Sequence, residues 1–269
     1  MRALTQDQVR AVKDLQSLWP DRQIVLVGAA ALQRFLEMRQ RETRDIDLSI
    51  SIALEEYPGP LVGRPGWSPR RGHAHRWDFD GAVEVDILPA GPGLLAAGKL
   101  TWPDGTEMNL TGFRLAFEQS VKLDVAPGIS IDVAPVPVLA LLKMVAYLER
   151  PLQRERDLRD IALILDEWPP EDDDERYADQ VLRLGLTYEQ IGPYLLGERL
   201  ARMTGAVEQD LVRRFLTKAN DEDDPHQMQQ HMIAVGPPHW GRQPIELLMR
   251  LDALARGLGD GSSNGGGSP

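Results

Sequence analysis

Three acidic residues stand out by their setting. The run Thr43-Arg44-Asp45-Ile46-Asp47-Leu48 alternates acid and apolar residues, and alternate side chains of a strand share a face. Asp45 and Asp47 are therefore expected to point the same way. Two carboxylates so close repel one another unless a cation lies between them, and oxygen ligands of this kind suit Mg²⁺ or Mn²⁺. A third acid is expected from a neighbouring strand. Val83-Glu84-Val85-Asp86-Ile87-Leu88 supplies two. Asp86 is preferred over Glu84 because apolar residues flank it on both sides, where an acid without a metal or base would be costly to bury. Asp45, Asp47 and Asp86 holding two divalent ions fit in-line phosphoryl transfer, which needs an activated hydroxyl and a stabilised leaving pyrophosphate. An Asp-x-Asp strand alone is more often a solvated face. What gives specificity is the order: strand, glycine turn, helix, Asp-x-Asp strand, then an acid within an apolar strand.

The elements that must position these groups can be read outward from them. Ile24 to Val27 is a short β-branched run, a buried strand. Gly28 turns it into a helix expected over Ala30 to Met38. Backbone N–H groups at Gly28 and Ala29 are then placed to approach a triphosphate, aided by the helix N-terminus. Asp45 to Ile52 is the half-buried strand. Gly59 to Gly72 reads as a loop. Arg76 to Phe79 and Val83 to Leu88 pair around Asp80-Gly81. Val121 to Val125 and Ile129 to Val133 pair around Ala126-Pro127-Gly128. Before all of these, Thr5 and Gln8 have capping-box form and open a helix to Leu18.

Pro137 opens a long apolar helix to about Glu149, and a second runs from about Glu155 to Asp166. Trp168-Pro169-Pro170 breaks the pattern. Helices then follow over Arg176 to Leu184, Thr187 to Thr204, Glu208 to Ala219 and Pro244 to Gly257. The expected division is an α/β domain over 1–135, a helical domain over 136–258 and a disordered Gly/Ser-rich tail over 259–269.

The formal charge of −11 argues at first against a nucleic-acid partner. Its distribution weakens that objection. Asp166 to Glu175 holds seven acids and no base, and Asp221 to Asp224 holds four more. Both read as solvated loops. Arg34 to Arg76, by contrast, has eight Arg against six acids. Thiolate metal sites and disulfides are excluded, because there are 0 cysteines, and a cytoplasmic location is the default. No apolar run is long enough to span a bilayer. His226, His231 and His239 match no standard metal spacing. His73 and His75, beside Arg70, Arg71 and Arg76, read either as a solvated loop or as phosphate contacts.

Lysine is rare here, five against 25 arginines. Lys143, within the apolar stretch Val138 to Leu148, must meet an anion or snorkel. A triphosphate is one candidate, and an ion pair with Asp157 or Asp160 is the other.

The sequence resembles the AbiEii family of bacterial nucleotidyltransferases, typically the toxins of toxin–antitoxin pairs. Val27 to Leu32 is similar to the family's first motif, and Thr43 to Leu48 matches its second. The resemblance extends to Lys143-x-x-Ala-x-x-x-Arg150 and to Arg156-Asp157-Leu158-Arg159-Asp160-Ile161. It implies an α+β fold, with a DNA polymerase β-type domain of mixed sheet flanked by helices and an appended C-terminal helical domain. It further implies catalytic roles for Asp45, Asp47, Asp86, Lys143 and Asp157, and nucleotide binding by Gly28, Ala29, Arg44, Lys143 and Arg150. One departure is Ala29, where the family carries Gly or Ser; a hydroxyl that could touch a phosphate is missing.

The expected activity is transfer of a nucleoside monophosphate from an NTP to an acceptor hydroxyl, with Mg²⁺ or Mn²⁺. By the resemblance, the acceptor is RNA, a tRNA 3′ end, and the partner a cognate antitoxin. The alternatives are a small acceptor of the aminoglycoside type and a nucleotide-binding module without transfer activity.

Overall fold

The computed structural model describes residues 3–37, 45–221 and 223–264. The chain divides into two compact units, Met1–Leu139 and Ala140–Pro269.

The first unit is a sheet with helices. In chain order it runs α1 (Gln6–Leu18), β1 (Ile24–Val27), α2 (Gly28–Leu32), β2 (Asp45–Ile50), β3 (Trp67–Pro69), β4 (Arg76–Phe79), β5 (Val83–Pro89), α3 (Pro92–Ala97), β6 (Lys99–Thr101), β7 (Glu107–Asn109), α4 (Phe113–Glu118), β8 (Val121–Ala126) and β9 (Ile129–Val133). The seven-stranded sheet has the order β3-β4-β5-β2-β1-β9-β8, and β6 and β7 form a separate pair. It is mixed: β1–β9 and β2–β5 are parallel, and the other pairs antiparallel.

The period-2 pattern sorts the sheet into two faces. Ile46, Leu48, Val85 and Ile87 are buried together with Trp77 and Phe79. α1 covers this apolar side. Arg10 lies over the Phe79 ring, and Trp67 Nε1 donates to Asp14 at 2.7 Å. Asp14, which also accepts from Arg64, is held below the usual carboxylate range by that guanidinium, against a smaller opposing effect of burial. The Thr5–Gln8 capping box that opens α1 is formed.

The second unit is helical. α5 (Val136–Glu149) leads into it, followed by α6 (Glu155–Glu167), α7 (Asp179–Leu182), α8 (Tyr188–Met203), α9 (Ala206–Ala219), α10 (Met228–Val235) and α11 (Ile245–Asn264). α8 and α11 meet backbone to backbone. A Cβ on Gly197 would strike the Leu254 carbonyl, and one on Gly257 would strike the Tyr194 carbonyl.

Several expectations need correction. The helix after Gly28 ends at Leu32 and passes through turns, rather than running to Met38; residues 38–44, with Arg39, Arg41 and Arg44, lie outside the described residues. The Gly/Pro-rich loop contains β3, whose Trp67 is buried against Phe79 at 4.9 Å between ring centres. The single helix expected over Arg176 to Leu184 is a 3₁₀ turn, Asp174–Tyr177, followed by the short α7. α10 has no counterpart in the sequence reading. The helix expected to stop at Gly257 continues to Asn264, so Gly259 to Asn264 is helix rather than tail; Gly261 packs on Ala201. Two acids assigned to solvated runs are engaged. Asp224 is buried and bonded to Lys218 at 2.5 Å, and Asp166 holds Arg250 at 2.8 Å.

Candidate active site

One row of residues crosses four strands of the sheet. Register pairs Val27 with Asp47, Asp47 with Asp86, and Asp86 with Arg76. The row two residues along pairs Asp45 with Glu84 and Glu84 with Asp78. Because pleat parity is shared across paired residues, Asp45, Asp47, Glu84, Asp86 and Asp78 lie on one face, opposite α1. The structure thus brings Asp45, Asp47 and Asp86 to the same face of adjacent strands, with Glu84 beside them.

Gly28 is fitted to Asp47. It sits at φ +70°, and a Cβ there would fall 2.7 Å from Asp47 Cγ and closer still to the carboxylate oxygen. Only a residue without a side chain lets the Asp47 carboxylate lie against the start of α2. Ala29, next in line, is buried. The helix it belongs to has no side-chain cap at Val27.

Arg76, which the sequence places only in the Arg-rich stretch, is paired here with the acids of the row. Its Nε and Nη2 donate to Asp86 Oδ1 and Oδ2 at 2.7 and 2.8 Å, a two-pronged pair, while Nη1 lies 3.0 Å from Glu84 Oε1. The Asp86 hydrogen bond holds the guanidinium above its usual pKa against partial burial, and the fields of Asp86, Glu84 and Asp47 add to this. Arg70 pairs with Glu84 and Asp78. His75 Nε2 stands 4.0 Å from Asp86 Oδ2, its ring 5.8 Å from Trp102. A signal for Arg76 was present. The Asp80-Gly81 turn closes with Phe79 opposite Val83, and counting back from it puts position 76 opposite Asp86.

Five carboxylates thus share this face with two guanidinium groups, Arg70 and Arg76. The unbalanced negative charge and the all-oxygen donors suit a hard divalent cation. As they stand, no three acidic or histidine side chains among the described residues are gathered closely enough to hold an ion.

The family described as "Nucleotidyl transferase AbiEii toxin, Type IV TA system" matches residues 16–243. The chain belongs to this family. No curated protein sequence matches it. Among solved structures, the crystal structure of an antigenic nucleotidyltransferase-like protein from Paracoccidioides brasiliensis is similar at 15% identity and a TM-score of 0.42, covering 94% of this chain and 95% of that one. The AbiEii assignment makes the chain a nucleotidyltransferase of toxin type. Its Asp-x-Asp segment supplies Asp45 and Asp47 to the face described above, and Gly28 of its strand–glycine–helix segment lies against Asp47.

The second unit of this AbiEii-family chain holds its own charged cluster. Lys143 is buried and meets Asp160 Oδ2 at 2.6 Å and Asp157 Oδ1 at 3.2 Å. Burial works to lower the Lys143 pKa, but the two carboxylates outweigh it and hold it above the ordinary lysine value. The carboxylate pair that the sequence offered Lys143 is formed. Asp157 Oδ2 is buried without a hydrogen bond, with Arg154 Nη1 at 3.7 Å. Arg150 is exposed just after α5.

Within the Arg-rich stretch Arg34 to Arg76, Arg64 is bonded to Asp14, Arg70 to Asp78, and Arg76 to Asp86. Arg34 donates to the Asp124 carbonyl. No helix among the described residues is long and apolar enough to cross a membrane.

Proposed function

We propose that this chain transfers a nucleoside monophosphate from an NTP to a hydroxyl of RNA, at a tRNA 3′ end, releasing pyrophosphate. It does so as a cytoplasmic toxin with a cognate antitoxin protein as partner. The observation that carries the reading is the register Val27–Asp47–Asp86, with Gly28 cleared to receive the Asp47 carboxylate.

Asp45, Asp47 and Asp86 would hold Mg²⁺ or Mn²⁺, which supplies Lewis acidity at the phosphate oxygens and at the attacking hydroxyl. The residues of the chain do the rest. The first-turn N–H groups after Gly28 have no partner within a helix and are proposed to bind the triphosphate, with Ala29 contributing backbone alone. The acceptor oxygen bonds to the α-phosphorus, the bond to the bridging oxygen breaks, and the hydroxyl proton passes to a carboxylate of the row. Lys143, Asp157, Arg150 and Arg44 are proposed to act on the nucleotide, as the family motifs imply.

Two other readings have an observation behind each. The acid-paired Arg64, Arg70 and Arg76 favour a small acceptor of the aminoglycoside type, since RNA would have to compete for them. Ala29 favours a nucleotide-binding module without transfer. Incubating the full chain and Asp47→Ala with each labelled NTP and either tRNA or aminoglycosides separates all three. Labelled tRNA from the parent chain and none from the variant is expected. Label on the small acceptor alone moves the assignment there, and NTP binding with no labelled product leaves only the binding module.

A further inference from the structure

Asp86 gives both carboxylate oxygens to one guanidinium. A forked pair of this kind matches the two oxygens to two N–H groups in one plane, so a cation approaching Asp86 meets a ligand already in use. Arg76 is also placed as a cation would be. It extends the row Asp47–Asp86 by one strand, and it bonds Asp86 while touching Glu84. With 27% of its side chain exposed, it can swing outward without opening the core beneath it.

We infer that Arg76 is a resident counter-ion of the carboxylate row, and that it and a divalent cation hold Asp86 in turn. This rests on the nucleotidyltransferase reading above, from which the divalent ion is taken. Without an ion, Arg76 neutralises Asp86 and keeps the row from repelling itself apart. Metal loading is then an exchange. Its apparent affinity is the intrinsic affinity of the carboxylates reduced by the strength of the Arg76 pair. The same exchange accounts for acids that share a face and yet are not gathered as an ion site: one of them is turned to Arg76 instead.

Arg70 provides the internal comparison. It carries the same charge on the same face, but its partners are Asp78 and Glu84 and not Asp86. Removing it changes the local field without freeing Asp86.

The test is Mn²⁺ binding to the full chain without nucleotide, with free Mn²⁺ counted by electron paramagnetic resonance. Arg76→Gln should bind Mn²⁺ about tenfold tighter than the parent chain, because a charge-assisted pair no longer has to break. Arg76→Lys, which keeps the charge and loses the fork, should fold as the parent does and fall between the two. Arg70→Gln should stay within about threefold of the parent, the effect of one exposed charge. Equal Mn²⁺ affinity in the parent and Arg76→Gln overturns the inference and leaves the transferase reading intact. Equal tightening in Arg70→Gln and Arg76→Gln also overturns it, reducing the effect to net charge. Absence of Mn²⁺ binding in the parent and both Arg76 variants removes the metal premise itself.

Discussion

Gly28 shows how a single hydrogen atom in place of a side chain shapes the site. Two constraints fall on it together: a left-handed backbone at φ +70° and a neighbouring carboxylate in the space a Cβ would fill. The first costs an L-residue about 1–2 kcal/mol. The second can be relieved only if Asp47 moves, and Asp47 is the residue in register with both Val27 and Asp86. Gly28→Ala is therefore expected to lower stability in urea titration by more than the about 1–2 kcal/mol of the backbone alone and to abolish transfer by displacing Asp47. The two effects can be separated. In an Asp47→Ala background the clash with the carboxylate is gone while the backbone cost remains. A double-mutant cycle should then show Gly28→Ala costing less stability there than in the parent chain. An identical cost in both backgrounds would mean that Gly28 serves only the turn.

At the scale of elements, the strands were more legible than the helices' ends, for a physical reason. β2 and β5 alternate acid and apolar residues, so the sequence itself states which side chains share a face; β4 and β5 are joined by an Asp-Gly turn that sets their register. β3 was hidden because Gly and Pro surround Trp67, and its three residues are fixed by packing on Phe79 rather than by pattern. α11 outruns its expected end because Gly257 and Gly261, poor helix formers alone, are what allow close contact with α8. Lys143 was legible as an anomaly, and the ion pair with Asp157 or Asp160 was one of the two readings open to it, because both acids sit in the next helix, α6. The buried cluster makes a prediction about the second unit. Lys143→Met leaves two carboxylates buried without their cation, at a cost of about 3–5 kcal/mol, readable as a lower midpoint in denaturant. The folded pKa of Lys143 is raised, so its contribution is complete below the ordinary value of 10.5 and is lost as pH rises through the folded value. The parent chain should therefore lose stability above pH 10.5 more steeply than Lys143→Met does. Parallel alkaline curves would show that Lys143 does not gain its charge state from folding.

For the whole molecule, the question is how a chain of net charge −11 would accept RNA. Two electrostatic effects oppose one another, and they depend on salt with opposite sign. Repulsion between the overall charge and the RNA backbone acts over distances that salt screens, with a Debye length of about 10 Å at 0.1 M; adding salt relieves it and strengthens binding. Contacts between individual arginines and phosphates release counterions, and adding salt weakens them, by roughly 0.9 log units per phosphate contact for each tenfold rise in duplex binding and somewhat less for single strands. The fold limits how many arginines are available for the second effect. Arg64, Arg70 and Arg76 already hold carboxylates, so a phosphate gains only the difference between itself and the acid it displaces. The acids concentrated at Asp166 and Asp224 are themselves partly neutralised by Arg250 and Lys218, which reduces the repulsion that must be overcome. If RNA is the acceptor, local contacts have to win. Binding of tRNA should then weaken as salt rises from low to moderate concentration, with a shallow slope equivalent to about two phosphate contacts rather than the six to ten of a dedicated nucleic-acid binder. Fluorescence anisotropy of labelled tRNA across a salt series measures the sign directly. A slope of the opposite sign would mean that repulsion dominates and no arginine grips the backbone; combined with salt-independent labelling of an aminoglycoside, it would transfer the assignment to a small acceptor.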